Sequence, residues 1–481
     1  MSTTLGSHGI QFRSAWVEQA WNRWELLQPS WKSRRQFLES QNEWQLYQRD
    51  FFYAYAKDFL MMQGVIRFSE EGWNFYRHHN YAQSALILSE VAPSAHEVHA
   101  SLQGLAQGLE NIAHQSRSAS WIDAATFHAV MRKVYPGELK PRSGPVNGLL
   151  KAISHSEIEA ALGALFTEIQ QQFSLGASPL AIAAWTHHAL TQIRPYQDGN
   201  ARAAFLLTNY VLWKADFPGF YVRPYQRHAY YEALAAADNG NLQAWTEFVL
   251  RSLQQAVLYA LSWGRATPLP YEEAVRNFQH RLAEWRTHHD KERSQRIMNN
   301  RYTVFDYMEE NLRTFASELE AQLQKEEGKA VRVLVAKAYP DSPYYHQFTS
   351  DIQEYARRHG YYFNRGLPRG WFKLKFSLSV NKKYQLVFSL HHAGHDDATI
   401  VVGGFFHFLE PLKYQQKRLR RRRIGPRRKE RTVYLFAPLP FPSEPLAFSI
   451  QNPSPSIRTL LKDYIHQYLT RALNELSNEI Y

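Results

Sequence analysis

The stretch that most limits what this chain can fold into is Ile193-Arg194-Pro195-Tyr196-Gln197-Asp198-Gly199-Asn200-Ala201-Arg202-Ala203-Ala204-Phe205. Before it, Ser178-Pro179 opens a run of Leu, Ala, Ile, Trp and His to Leu190 that reads as a helix. Ser178 is its N-cap, and Pro179 takes the first helical position, where a missing N–H leaves nothing unsatisfied. After it, Ala203 to Trp213 is largely Ala, Leu, Phe and Tyr with no breaker, which reads as a second, buried helix. Pro195 and Gly199 between them force a tight loop.

That loop has a chemistry of its own. Gly199 permits backbone angles closed to other residues, so the amides of Asn200, Ala201 and Arg202 can point outward where a helix begins and partial positive charge collects. Such a nest suits an anion, phosphate above all. Asp198 adds a carboxylate able to hold Mg²⁺ through phosphates, and Arg202 a permanently charged planar fork. From these residues alone two readings stand: an Asp-Gly-Asn turn joining two helices, or a cradle for the phosphates of a nucleotide.

The order of residues resembles the signature of the Fic (Fido) family, His-x-Phe-x-Asp/Glu-Gly-Asn-Gly-Arg-x-x-Arg between two helices. Tyr196 stands at the aromatic position, Asp198 at the metal-binding acid, Gly199-Asn200 at the anion nest and Arg202 at the first arginine. His187 lies seven residues before the motif. Tyr230-Tyr231-Glu232-Ala233-Leu234, Asn239-Gly240-Asn241-Leu242 and Trp245 to Phe248 look like the family's closing helices. The similarity runs from about Ala82 to Leu261. It implies a mainly α helical domain with a small β flap, ATP or another nucleotide with Mg as ligand, and a protein target. The implied nucleotide contacts are Asp198, Gly199, Asn200, Ala201, Arg202 and Tyr231. Tyr135 to Val146 looks like the flap that aligns an extended target segment, with Leu139, Lys140 and Arg142 as its contacts. Its prolines and glycines leave few amides for pairing, and a plain surface loop is the other reading.

The departures from the signature shape the functional expectation. Arg194 occupies the place of the histidine that, by the resemblance, takes a proton from the attacking hydroxyl while AMP is transferred from ATP. A guanidinium stays protonated and cannot act as a base. Losing a general base costs on the order of 10²–10⁴ in rate. Ala201 replaces the second motif glycine and Phe205 the final arginine. The expected protein retains a phosphate loop, with Arg194 as a cationic clamp, and does not perform standard AMP transfer: a pseudoenzyme or a divergent enzyme. The alternative is a nucleotidyl transferase, of AMP or another NMP, with a different base. His187 and His188 are nearest in sequence, but His187 stands roughly 10 Å along the helix axis and also reads as a packed core histidine. The family's inhibitory Ser/Thr-x-x-x-Glu-Gly/Asn pattern is absent, because Glu71, Glu110, Glu310 and Glu327 follow Arg67, Ala106, Asp306 and Leu323 by four residues. Glu97 is at most a relic of it.

The 481 residues, 44% hydrophobic and 14% aromatic, suffice for two or three domains. We divide them as a helical region 1–80 packing on the core, a Fic-like domain 81–264, a helical connector 265–329 and a basic α+β domain 330–481. In the first region Trp16, Ala20, Trp24 and Leu27 keep helical spacing. In the connector Val275, Phe278, Leu282 and Trp285 do so, then Phe305, Met308, Leu312, Phe315, Leu319 and Leu323. From Ala330 the period becomes two, in Val331–Val335, Trp371–Phe376, Tyr384–Leu390, Thr399–Val402 and Thr432–Phe436, which predicts an antiparallel sheet closed by a helix over Ser456–Leu476. The absence of cysteine excludes disulfides and thiolate metal sites. No apolar run nears the 18 or so residues needed to span a bilayer, and the start lacks a secretory pattern. The expectation is a cytoplasmic protein without membrane contact.

Between Lys413 and Arg431 eleven positive charges face one acid, Glu430, and supply a net +10 of the chain's +12. Lys417, Arg418, Arg420, Arg421, Arg422, Arg423, Arg427 and Arg428 form the candidate polyanion contact, for nucleic acid or an acidic surface. Tyr414 is the only aromatic residue among them, so contact to a backbone is expected rather than base stacking. A solvated connection between strands is the other reading. His391-His392-Ala393-Gly394-His395-Asp396-Asp397 carries metal-ligand residue types but also the residues of a turn between strands.

Overall fold

The aromatic-rich start folds into two long helices, α1 (Ala15–Ser40) and α2 (Trp44–Gln63). The structure is a computed structural model that describes residues 14–87, 91–135, 139–143, 154–264, 291–327, 333–377, 383–395, 397–411, 434–438, 443–451 and 456–480. Its contacts divide the chain into two units, Met1–Tyr271 and Glu272–Tyr481.

In the first unit the density of rings near the start is core, not surface. Trp24 stacks on Phe217 at 4.6 Å, Tyr55 on Tyr221 at 4.5 Å and Phe59 on Phe205 at 4.1 Å. Each pair joins an N-terminal helix to the region around the motif, adding a geometric preference to the area buried. A short ribbon, β1 (Arg67–Phe68) with β2 (Val91–Ala92), accompanies α3 (Glu70–His78) and α4 (Gln83–Ile87). Ser94 caps α5 (Ala95–Arg117), its Oγ accepting from Glu97 N and donating to the Glu97 carboxylate at 2.6 Å. Glu97 therefore belongs to a helix cap. Gly108 of α5 meets Val134 of α6 (Ala124–Val134) where a Cβ would lie 2.2 Å from Val134 Cγ2, so glycine sets the closeness of the two helices.

Next come α7 (Ile158–Ser174), α8 (Pro179–Ile193), α9 (Asn200–Lys214), α10 (Arg227–Asp238) and α11 (Leu242–Ser262). α8 and α9, the two helices expected around the motif, pack against each other and against α7, α11 and α5. Pro179 opens α8 as expected. The Ser178 hydroxyl, however, caps nothing and is buried without a partner.

The second unit is α+β, as expected. It contains the long helix α12 (Lys291–Glu327) and an antiparallel sheet of β3 (Val333–Ala338), β4 (Gly370–Ser377), β5 (Lys383–His392), β6 (Thr399–Pro411), β7 (Tyr434–Pro438) and β8 (Leu446–Ser449). The strands run in the order β3-β4-β5-β6-β7, and β8 pairs with the other end of β6. Register places Phe372 opposite Phe388 and Leu386 opposite Phe406. α13 (Thr349–Arg358) and the terminal α14 (Ser456–Ile480) complete the unit. Tyr355 of α13 contacts Phe405, and Tyr468 of α14 contacts Phe388. These alternate residues place the two helices on opposite faces of the sheet.

His391 and His392 end β5 rather than forming a turn, and both are buried. His391 Nε2 bonds the Tyr361 hydroxyl at 2.7 Å. Among the described residues no group of three His, Cys, Asp or Glu could hold a metal ion, and no helix is long and apolar enough to cross a membrane. The basic stretch 413–431 and the periodicity from Val275 to Trp285 lie outside the described residues.

Candidate functional site: the loop between α8 and α9

α8 ends where Arg194 enters the left-handed region (φ 49°, ψ 65°), its N–H still bonded to Leu190 O at 3.0 Å. Tyr196 then turns inward, is buried, and meets His128 Nδ1 through its hydroxyl at 2.7 Å. Asn200 clamps the same peptide from both sides: its Oδ1 accepts from Tyr196 N at 3.0 Å, and its Nδ2 donates to Tyr196 O at 2.8 Å. Gly199 makes the final turn at φ 82°, and its carbonyl accepts from Ala203 N. The amides of Asn200, Ala201 and Arg202 thus open α9 with no carbonyl of their own helix to bond.

Two charged side chains flank these amides. Asp198 is exposed. Its Oδ1 accepts from Gly199 N at 2.7 Å and its Oδ2 from the Tyr135 hydroxyl at 2.6 Å. The Tyr135 bond holds the carboxyl below its usual range, with the Gly199 amide and the Arg202 charge adding to the effect. Arg202 is only 8% exposed, and its Nη1 is buried with no hydrogen-bond partner. Its guanidinium carbon lies 5.2 Å from the centre of the Tyr135 ring. Burial pulls its pKa down while Asp198 pulls it up.

The expected flap residues lie against the loop. Lys140 O accepts from Gln197 N, and Arg142 N donates to Pro195 O, both at 3.0 Å, with Pro141 bridged to Tyr196 in antiparallel sense. Arg142 is 5% exposed. Its Nε donates to Arg194 O at 2.9 Å and its Nη2 to Ile193 O at 3.2 Å, the carbonyls that α8 leaves open at its end. Burial lowers the Arg142 pKa, and the charge of Arg194 nearby lowers it further. Leu139 is half-buried, close to the space over Gly199. The inward edge of this segment is thus bonded to the motif loop itself. On the other edge Pro141 has no N–H to offer.

A model of the Fic/DOC family matches residues 118–212, which hold α6, the flap segment, α7, α8, the loop and most of α9. This chain carries a Fic-family domain. Protein adenylyltransferase Fic of Nematostella vectensis is 37% identical over 94 residues, 20% of this chain and 22% of that one. The protein of the same name from Aedes aegypti is 35% identical over 71 residues, 15% of this chain and 14% of that one. The match thus spans less than a quarter of the length of these curated relatives. Among solved structures, a Fic domain containing signaling protein from Bacteroides thetaiotaomicron shares 18% identity with a TM-score of 0.39, covering 51% of this chain and 98% of that one.

Within the Fic-family domain, the position where the signature has its last arginine is part of the core. Phe205 is fully buried, stacked on Phe59 and within 5.3 Å of Tyr55 and 6.0 Å of Phe220. Arg194 is half-buried, and its side chain makes no hydrogen bond or ion pair among the described residues. His187, the candidate alternative base, is occupied. Thr208 donates its only hydroxyl proton to Ala204 O at 2.6 Å, so its oxygen accepts from His187 Nδ1 at 2.9 Å. That leaves Nε2 to accept from the Tyr230 hydroxyl at 2.9 Å. Burial pushes the His187 pKa down to about 3. His188 bonds Asp238 at 2.9 Å. Tyr231, the implied nucleotide contact on α10, is exposed, with Arg227 over its ring at 5.6 Å.

Sequence reasoning took Tyr135 only as the start of the flap stretch, not as a partner of Asp198, and missed His128. Both touch the motif only through long-range packing, 63 and 68 residues away in the chain, and no spacing announces them.

Proposed function

We propose that the Fic-family domain of this chain binds the phosphates of a nucleotide, ATP or another with Mg²⁺, at Asp198 to Arg202 and does not carry out standard AMP transfer. The observation that carries this reading is the buried, unpartnered Nη1 of Arg202 beside three helix amides that no carbonyl of their own helix can bond. A buried cationic donor without an acceptor is costly, and a phosphate oxygen is the acceptor that helix N-termini favour. Arg194 and Arg142 add positive charge to the same loop. A Mg²⁺ here would take Asp198 and complete its oxygen shell from phosphates and water, which fits a site with one carboxylate. Such a ligand supplies the phosphoanhydride that relatives named adenylyltransferases use.

The chain's own residues do the binding but leave proton transfer unassigned. Arg194 stays protonated, His187 is neutral and enclosed by Thr208 and Tyr230, and His188 is bonded to Asp238. The second cation of the signature is absent because Phe205 serves the packing of α2 against α9.

Thermal melts with and without ATP and Mg²⁺ test the reading. At a ligand concentration a hundred times Kd the protein gains about 2.7 kcal/mol, and Arg202→Ala loses the shift. Incubation with [α-³²P]ATP and candidate protein acceptors should leave no covalent label. Absence of any shift with ATP or pyrophosphate refutes binding, and label that Asp198→Ala abolishes refutes the loss of transfer.

A further inference from the structure

We propose that Tyr135 is a built-in latch on the phosphate loop: its side chain occupies both groups that would receive the ligand, and nucleotide enters only as Tyr135 swings away. The inference rests on the nucleotide-binding reading of the loop and names its regulation. Three contacts from one side chain converge there. The hydroxyl donates to Asp198 Oδ2 at 2.6 Å, the carboxylate that would hold the metal. The ring faces the Arg202 guanidinium at 5.2 Å, the fork that would hold the phosphate. The ring also lies over the turn itself, since a Cβ on Gly199 would sit 3.3 Å from Tyr135 Cδ2.

These contacts explain the orphan. A guanidinium under an aromatic face gains a cation–π attraction but no acceptor, so Arg202 keeps Nη1 both buried and unbonded. The short hydroxyl-to-carboxylate bond is charge-assisted and must break before Asp198 can turn that oxygen to a metal ion. Tyr135 is placed to move. It is the residue after the last turn of α6, half-exposed, with extended backbone (φ −92°, ψ 118°), so a change of side-chain rotamer needs no helix to unwind.

The relation to the family pattern is physical. Phe205 stands at the place of the signature's last arginine, within the core. A latch acting on Asp198 and Arg202 does not need that arginine.

Calorimetric titration of the full chain with ADP and Mg²⁺ tests the latch, using Tyr135→Ala, Tyr135→Phe and Arg202→Ala. The sum of one charge-assisted hydrogen bond and one cation–π contact predicts ADP binding about tenfold tighter or more in Tyr135→Ala. Tyr135→Phe, which frees Asp198 but keeps the ring over Arg202, should fall between. Unchanged or weaker binding in Tyr135→Ala, with Arg202→Ala binding lost, overturns the latch and leaves the nucleotide reading standing. No binding by either the wild type or Tyr135→Ala overturns both. Far-UV circular dichroism on each variant confirms that the fold is intact.

Discussion

Arg194 is a strained residue, held in the left-handed region at φ 49°. A non-glycine residue in the left-handed region costs on the order of 1 kcal/mol, and the position after a helix end is where glycine is usually found. We therefore predict that Arg194→Gly raises stability by about 1 kcal/mol in urea unfolding, because among the described residues the side chain has no partner to lose, while binding ADP and Mg²⁺ more weakly. A loss of stability would show that the guanidinium holds the fold; unchanged affinity would show that it faces no ligand. At this scale the sequence was informative where geometry is local. Gly199 had to turn, Asn200 had to open α9, and Asp198 and Arg202 had to flank it, since a loop this short between two helices has few conformations. The contact of Tyr135 with Asp198 was invisible because it spans 63 residues. The core placement of Phe205 depends on α2, which the motif cannot report.

Among the elements, the flap segment shows how local composition misleads about pairing. Its prolines and glycines suggested few available amides, yet Lys140 O and Arg142 N are bonded to the motif loop, and Arg142 ties the segment to the open end of α8. Removing that fork strands two carbonyls and frees the strand. Arg142→Ala should cost about 1–3 kcal/mol in urea unfolding, and the Gln197 amide, whose acceptor is Lys140 O, should exchange with deuterium faster. Arg142→Lys should not restore it, because one ammonium cannot span two carbonyls as the planar fork does. Unchanged exchange at Gln197 would mean that Arg142 does not position the flap. In the second unit the period-two runs located β3 to β7, but the reading ended β6 at Val402 and omitted β8 and α13. The cause lies in tertiary packing: Gly403 and Gly404 are strand residues because Tyr355 and Tyr468 press on opposite faces, 2.7 and 2.5 Å from where Cβ atoms would stand. Nothing local distinguishes such glycines from a turn.

Across the whole molecule, each unit buries neutral histidine, and this sets how the protein meets acid. His187 in the first unit and His391 and His392 in the second are held down to about 3 by burial, with neighbouring cations helping at the latter two. The unfolded chain takes up these protons as pH falls below about 6.5, whereas the folded chain refuses them until about pH 3, so the unfolded state binds more protons throughout that window. Stability is therefore complete above pH 6.5 and falls on acidification, by up to about 1.4 kcal/mol per pH unit for each such histidine. The carboxylates enter later: Asp58, which is paired with Lys57 and Arg223, and Glu309, lowered to about 2, lose their contributions only below their ordinary values of 3.8 and 4.5. The interval from pH 6.5 to 5 thus isolates the histidines. His392 makes the sharpest test because neither ring nitrogen has a hydrogen-bond partner of good geometry. Its replacement by leucine, of similar volume, removes buried polar atoms whose one hydrogen-bond contact is with the Thr399 backbone. We expect His392→Leu to be as stable as the wild type or more so at pH 7, and to lose less on going to pH 5 by roughly 1 kcal/mol per pH unit in the transition of the second unit alone. Urea melts at both pH values, with separate probes for Met1–Tyr271 and Glu272–Tyr481, check it. An unaltered pH slope would mean that His392 is solvated or charged in the folded chain, and with it that the sheet's interior is not the dry environment described.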